Sequence, residues 1–122
     1  MKKKVKYLDL LNLVGFIKYV ESNSNIPYEL LHHYDTFSHI WILLIESLKK
    51  EYKSKLSKEQ ESYNIKLKHY EAIALNSILQ LIPKHERGVA AVSYDFWSNF
   101  ITKAIEKFQA IELIRNQSDI LL

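Results

Sequence analysis

Apolar residues recur at three- and four-residue steps in four stretches of the chain, the pattern of helices that each bury a face. The first stretch runs from about Lys4 to Glu21, where Tyr7, Leu10, Val14 and Ile17 form a stripe flanked by Leu11 and Leu13. Leu8, Phe16 and Tyr19 lie on the other side, so this helix is expected to be covered on more than one face. A polar Ser22-Asn23-Ser24-Asn25 loop ends it. The second helix is predicted from near Asn25, a good cap, with Pro27 in the first turn where its missing N–H is not needed. Leu30, Tyr34, Phe37, Trp41, Leu44 and Leu48 then step by 4, 3, 4, 3 and 4. The pattern carries this helix to about Ser54, with Asp35 able to cap a fresh start within it.

The third helix is predicted after Ser57, which forms an S-x-x-Q capping box with Gln60. Tyr63, Leu67, Tyr70, Ala74, Ile78 and Leu81 make its stripe, and Pro83 stops it. Lys84 to Val92 is a connector. The fourth helix is expected from a cap at Ser93 to about Arg115, with Trp97, Phe100, Ile101, Ala104, Phe108 and Ile111 inward. The tail, QSDILL, docks on the body or frays. Short connections make neighbouring helices antiparallel, so the expectation is an all-α, antiparallel four-helix bundle, one helical domain over residues 1–122. Helices two and three would form a long hairpin turning at Lys55-Leu56-Ser57 and projecting beyond the shorter first helix.

Composition supports a helical reading. Only two glycines and two prolines are present, too few for the turns of an all-β fold. Cysteine is absent, which excludes disulfides, thiolate metal sites and cysteine nucleophiles. The N-terminal MKKKVKYLDLLNLVGFIKYV imitates a signal peptide. Asp9, Asn12 and Lys18 interrupt its apolar part, however, and no small-residue cleavage site follows. The longest apolar run, Ile40 to Ile45, is far short of the ~20 residues of a membrane span. The expectation is a cytoplasmic protein without a membrane span.

Residues 29–47, ELLHHYDTFSHIWILLIES, hold three of the five histidines. On a helical wheel His32, Asp35, His39 and Glu46 fall in a row opposite the apolar stripe. Imidazole and carboxylate so spaced can share a cation, which makes His32, Asp35 and His39 a candidate metal set. Carboxylate-bridged iron bundles need two Glu-x-x-His motifs, and this chain has one, Glu29 to His32. No cofactor is expected. Ile42 and Leu43 share that outer face, between His39 and Glu46, and must be covered by another helix, a second copy of the chain or a partner protein. His39, Ile42, Leu43 and Glu46 are therefore a candidate partner-binding surface.

Catalytic constellations are missing from the sequence. The serines sit mostly at loops and caps, no Gly-x-Ser-x-Gly occurs, and Gly15 and Gly88 make no phosphate-binding loop. The net charge is +3, and fifteen of the 17 basic residues are lysine. Seven of them, Lys49, Lys50, Lys53, Lys55, Lys58, Lys66 and Lys68, fall among only three glutamates, with Tyr52 and Tyr63 interleaved. At the tip of the expected hairpin this cluster would contact phosphates, with the tyrosines free to stack on bases. The lack of arginine there argues against sequence-specific readout. A second lysine run, Lys2, Lys3, Lys4 and Lys6, opens the chain. Fifteen aromatic residues exceed what one bundle seam needs, and such side chains anchor interfaces. The leading expectation is a non-enzymatic helical protein that binds a macromolecule, foremost a protein, as an adaptor, inhibitor, immunity-type protein or small subunit. A nucleic-acid-binding accessory protein using residues 49–68 comes second, and a metal-binding bundle third.

Overall fold

A computed structural model describes residues 1–22 and 43–121, with side chains as far as Arg115. The chain is mostly helical and carries one small antiparallel sheet. Its elements are β1 (Lys2–Lys6), α1 (Tyr7–Ser22), α2 (residues 43–56), β2 (Ser62–Lys66), α3 (His69–Gln80) and α4 (Ala91–Leu121). Two 3₁₀ turns, Lys84–Glu86 and Gly88–Ala90, connect α3 to α4.

The sheet corrects the expected helix boundaries. The first helix begins at Tyr7 rather than Lys4, because the residues before it pair as a strand. The third begins at His69, and the segment expected to be its first half is β2, so the long hairpin of helices two and three does not form. Residues 63–67 satisfy two periods at once. Tyr63, Leu67 and Tyr70 fit a helix, while Tyr63, Ile65 and Leu67 alternate with Ser62, Asn64 and Lys66 as in a strand. Burial decides for the strand: Tyr63, Ile65 and Leu67 are all interior. Pairing with β1 satisfies the backbone, Val5 lying opposite Tyr63 and Lys3 opposite Ile65. Two further bonds extend the contact, Leu67 N–H to the Met1 carbonyl at 2.9 Å and Tyr7 N–H to the Glu61 carbonyl at 3.3 Å.

Ser57 does not open a helix. Its hydroxyl donates to the Ser54 carbonyl at 2.6 Å, just past the end of α2. The cap of α3 is instead half of a capping box, with the Glu71 carboxylate accepting the Lys68 backbone N–H at 2.9 Å. Glu71 also suits the positive end of the helix. Beyond α3, Gly88 holds the left-handed region at φ +53°, which a residue with a Cβ adopts at a cost. Arg87 lies 3.5 Å over the Tyr94 ring, and the Tyr94 hydroxyl donates to the Leu79 carbonyl at 2.8 Å. Arg87 thereby ties the connector to α4, and Tyr94 ties α4 to α3.

The interior among the described residues is one cluster. It takes Leu10, Leu13 and Ile17 from α1, Ile45, Leu48 and Tyr52 from α2, Leu75, Ile78 and Leu79 from α3, and Trp97, Ile101 and Ala104 from α4. Phe16 joins it as expected, whereas Leu8, on the same side of α1, is exposed. Trp97 is fully buried, with the rings of Phe96 and Phe100 edge-on to it at 5.4 and 6.0 Å. Its indole N–H donates to the Asp9 backbone carbonyl at 2.7 Å.

One turn earlier in α4, Ser93 occupies an interior position rather than the cap expected of it, since α4 starts at Ala91. Its hydroxyl donates to Asp9 Oδ1 at 2.7 Å and accepts from Asn12 Nδ2 at 2.8 Å. These three bonds knit the first turns of α1 to α4. At its far end α4 continues past Arg115 to Leu121.

Trp97→Ala is expected to remove about 3–5 kcal/mol of stability, through the cavity and the lost hydrogen bond. Ser93→Ala is expected to remove about 1–3 kcal/mol by leaving Asp9 and Asn12 unpaired. Urea denaturation midpoints of the two variants check both values, and an unchanged midpoint for Trp97→Ala contradicts the packing described.

Candidate functional site

Strand geometry sorts the lysines of the ribbon onto two faces. Val5, Tyr63 and Ile65 point inward, so the alternate residues of both strands point out. The register places Lys2 opposite Lys66, Lys4 opposite Asn64 and Lys6 opposite Ser62. The outer face therefore carries four exposed lysines with an amide and a hydroxyl, and no carboxylate. Lys3 points the other way and borders a small cavity with Phe96, Asn99, Phe100 and Lys103. Like charges directly opposed across two strands weaken the pairing by a few tenths of a kcal/mol, up to roughly 1 kcal/mol. Among the described residues none of Lys2, Lys4, Lys6 or Lys66 reaches a carboxylate in an ion pair. The local positive potential also acts on the Met1 amine, which donates to the Leu67 carbonyl at 3.0 Å. Burial lowers its pKa, and Lys107, Lys66 and Lys2 lower it further.

The basic cluster expected at residues 49–68 is redistributed. Lys49 lies between two glutamates, Glu21 at 2.7 Å and Glu46 at 3.0 Å. Those bonds, Glu21 first, hold its ammonium above the usual lysine range, and the bond from Lys49 holds Glu46 below the usual carboxylate range. Lys50, Lys53 and Lys58 are exposed on α2 and the loop after it, and Lys55 is half-buried. Lys66 belongs to the ribbon, and Lys68 precedes α3 with its ammonium 5.8 Å from the centre of the Tyr70 ring.

The two tyrosines assigned to base stacking are corrected by their burial. Tyr52 is 1% exposed and Tyr63 4%. The alternation that makes residues 62–66 a strand sends the Tyr63 ring inward, and its hydroxyl donates to the Lys58 carbonyl at 2.6 Å. The Tyr52 hydroxyl finds no partner among the described residues. Burial raises its pKa far above the ordinary tyrosine value, with smaller contributions from the carboxylates of Glu71 and Glu51.

Of the candidate partner-binding residues, His39 and Ile42 lie outside the described residues. Leu43 is open, at 70% exposure, and Glu46 is half-exposed and bonded to Lys49. The metal set of His32, Asp35 and His39 lies outside the described residues entirely. Within them, no group of three metal-ligating side chains gathers. His69 packs its ring on Phe108, 5.2 Å away, and His85 lies at the surface 3.5 Å from Glu86.

A feature that sequence reading missed is the distal part of α4. Ile111, Leu113 and Ile114 are exposed although the helix continues beyond them. The stripe that places Ile111 inward was drawn against a long helical hairpin that does not form, and Ile111 is 43% exposed. No described helix is long and apolar enough to cross a membrane. Compared with known proteins, the chain matches no family model, no curated sequence and no solved structure.

Tyr52→Phe is expected to leave stability unchanged or to raise it slightly, because among the described residues the buried hydroxyl makes no bond to lose. The wild type is also expected to lose stability as pH rises above about 10, where the unfolded tyrosine ionises and the folded one does not. The Phe variant lacks that component. Urea denaturation of both proteins between neutral and strongly alkaline pH checks the two statements together.

Proposed function

We propose that this chain is a non-enzymatic protein, its helices arranged as an antiparallel bundle, that acts by binding another macromolecule, foremost a protein. The observation that carries this reading is the exposed apolar end of α4. Trp97, Phe100, Ile101 and Ala104 are buried, Ile105 and Phe108 are half-buried, and Ile111, Leu113 and Ile114 are 43%, 59% and 62% exposed. A helix that keeps its apolar stripe after leaving its own core offers a surface for another chain. Leu43, 70% exposed on α2, supplies a second apolar point on the face first singled out for a partner. An adaptor, inhibitor, immunity-type or small-subunit role all use such a surface. The chemistry of the described residues favours binding over catalysis, because the one buried serine, Ser93, is bonded to Asp9 and Asn12 and has no histidine partner.

Native mass spectrometry of the chain purified gently from its own source tests the reading. A protein adduct is expected, and the double change Ile111→Asp and Ile114→Asp is expected to remove it while helical circular dichroism stays unchanged. A doubled mass identifies the partner as a second copy of the chain. A bare 14.4 kDa monomer from wild-type material contradicts the proposal.

A further inference from the structure

We propose that the outer face of the β1–β2 ribbon binds the phosphate backbone of double-stranded nucleic acid, through Lys2, Lys4, Lys6 and Lys66 and without reading sequence. This goes beyond the protein-binding reading and stands without it. It rests on a juxtaposition made by the fold. Residues 2–6 and 62–66, far apart in the chain, pair in a register that puts their lysines on one side. Lys2, Lys4 and Lys6 recur every second residue, a step of roughly 6.8 Å along the strand, and Lys66 widens the row at the Lys2 end. Lys2, Lys4, Asn64 and Lys66 also line an open groove.

Among the described residues no carboxylate forms an ion pair with the lysines of this face. The carboxylates nearest in sequence are Glu61, Asp9 and Glu71. Glu61 precedes β2, Asp9 Oδ1 accepts from Ser93, and Glu71 Oε1 accepts from the Lys68 N–H. Lysine on an exposed strand also guards against edge-to-edge association. That role is met by single charges, however, and does not call for opposed lysines such as Lys2 and Lys66.

Charge complementarity selects a polyanion, and the remaining residues select which one. Ser62 and Asn64 are the other side chains of this face, and both donate hydrogen bonds to phosphate oxygens. No apolar side chain stands among the lysines to enter a lipid interface. Single-stranded nucleic acid is held by aromatic stacking, whereas Tyr52 and Tyr63 are buried and the partly exposed Tyr7 keeps its ring 6.5 Å from that of Tyr63. A duplex needs no stacking. It presents one charge per ~1.7 Å of axis, and its major groove admits a two-stranded ribbon. Four lysines against a single amide make phosphate contacts the main source of affinity, and those contacts carry no sequence information directly.

Fluorescence anisotropy of the full chain with a labelled duplex of arbitrary sequence tests the proposal. Four phosphate contacts predict a slope of log K against log salt of about −3.6, a fall in affinity of roughly 150-fold between 50 and 200 mM salt. The triple change Lys2→Gln, Lys4→Gln and Lys6→Gln is expected to weaken binding at least about tenfold at low salt and to flatten the slope to about −0.9. The triple change Lys53→Gln, Lys55→Gln and Lys58→Gln is expected to bind as wild type. If the ribbon variant loses its circular dichroism spectrum, Lys66→Gln replaces it, with a slope shallower by about 0.9. The proposal is overturned by an absence of duplex binding, by wild-type binding in the ribbon variants, or by loss of binding in the 53/55/58 variant alone. Tighter binding to a single-stranded oligonucleotide, to polyglutamate or to phosphatidylserine vesicles overturns it equally.

Discussion

The node at Asp9 sets the geometry on which the rest of the described structure depends. Its backbone carbonyl accepts from Trp97, and its carboxylate accepts from Ser93, which in turn accepts from Asn12. All three bonds span more than eighty residues, and they lie in the first turns of α1. Because β1 passes into α1 without a loop, fixing Asp9 against α4 also fixes the strand that ends at Lys6. The strand then determines where β2 lies, and with it the lysines of the outer face. Polar groups in an interior must be paired to be tolerated, so the node specifies one alignment of α1 on α4 where an apolar seam would permit sliding.

Around this node the molecule divides its side chains economically between packing and contact. Aromatic residues that the sequence offers as surface anchors serve largely as core: Tyr52, Tyr63, Tyr94, Trp97 and Phe100 are all interior. Among the surfaces of the described residues are a lysine face at the ribbon and an exposed aliphatic stretch on distal α4. The two surfaces differ in chemistry. The attraction of a lysine face for anions weakens with salt. Apolar contact, by contrast, depends on area removed from water rather than on charge.

Much of the helical content was legible in the sequence, because a three- and four-residue period over ten or more residues has few other solutions. α1 and α4 lie near where their stripes place them. The misplacements came from short segments. Five residues of Lys2–Lys6 contain one apolar side chain, too few to show any period. Residues 62–68 suit a helix and a strand alike, and the Ser57–Gln60 box lent weight to the helix. The site suffered for the same reason. A helical wheel put Tyr63 beside the lysines on a projecting tip, whereas strand alternation turns Tyr63 inward and Lys66 outward.

By itself the sequence determined a mostly helical chain without disulfides, the apolar stripes that build the core, and a surplus of lysine over arginine that favours phosphate contact over base reading. These follow from composition and local period, which need no partner to be expressed. Only the tertiary structure decided which lysines share a face. The terminal run and the second cluster are separated by more than forty residues, and either alone reads as solvated surface. Their union depends on hydrogen bonds between two strands, a long-range pairing that local preference does not encode.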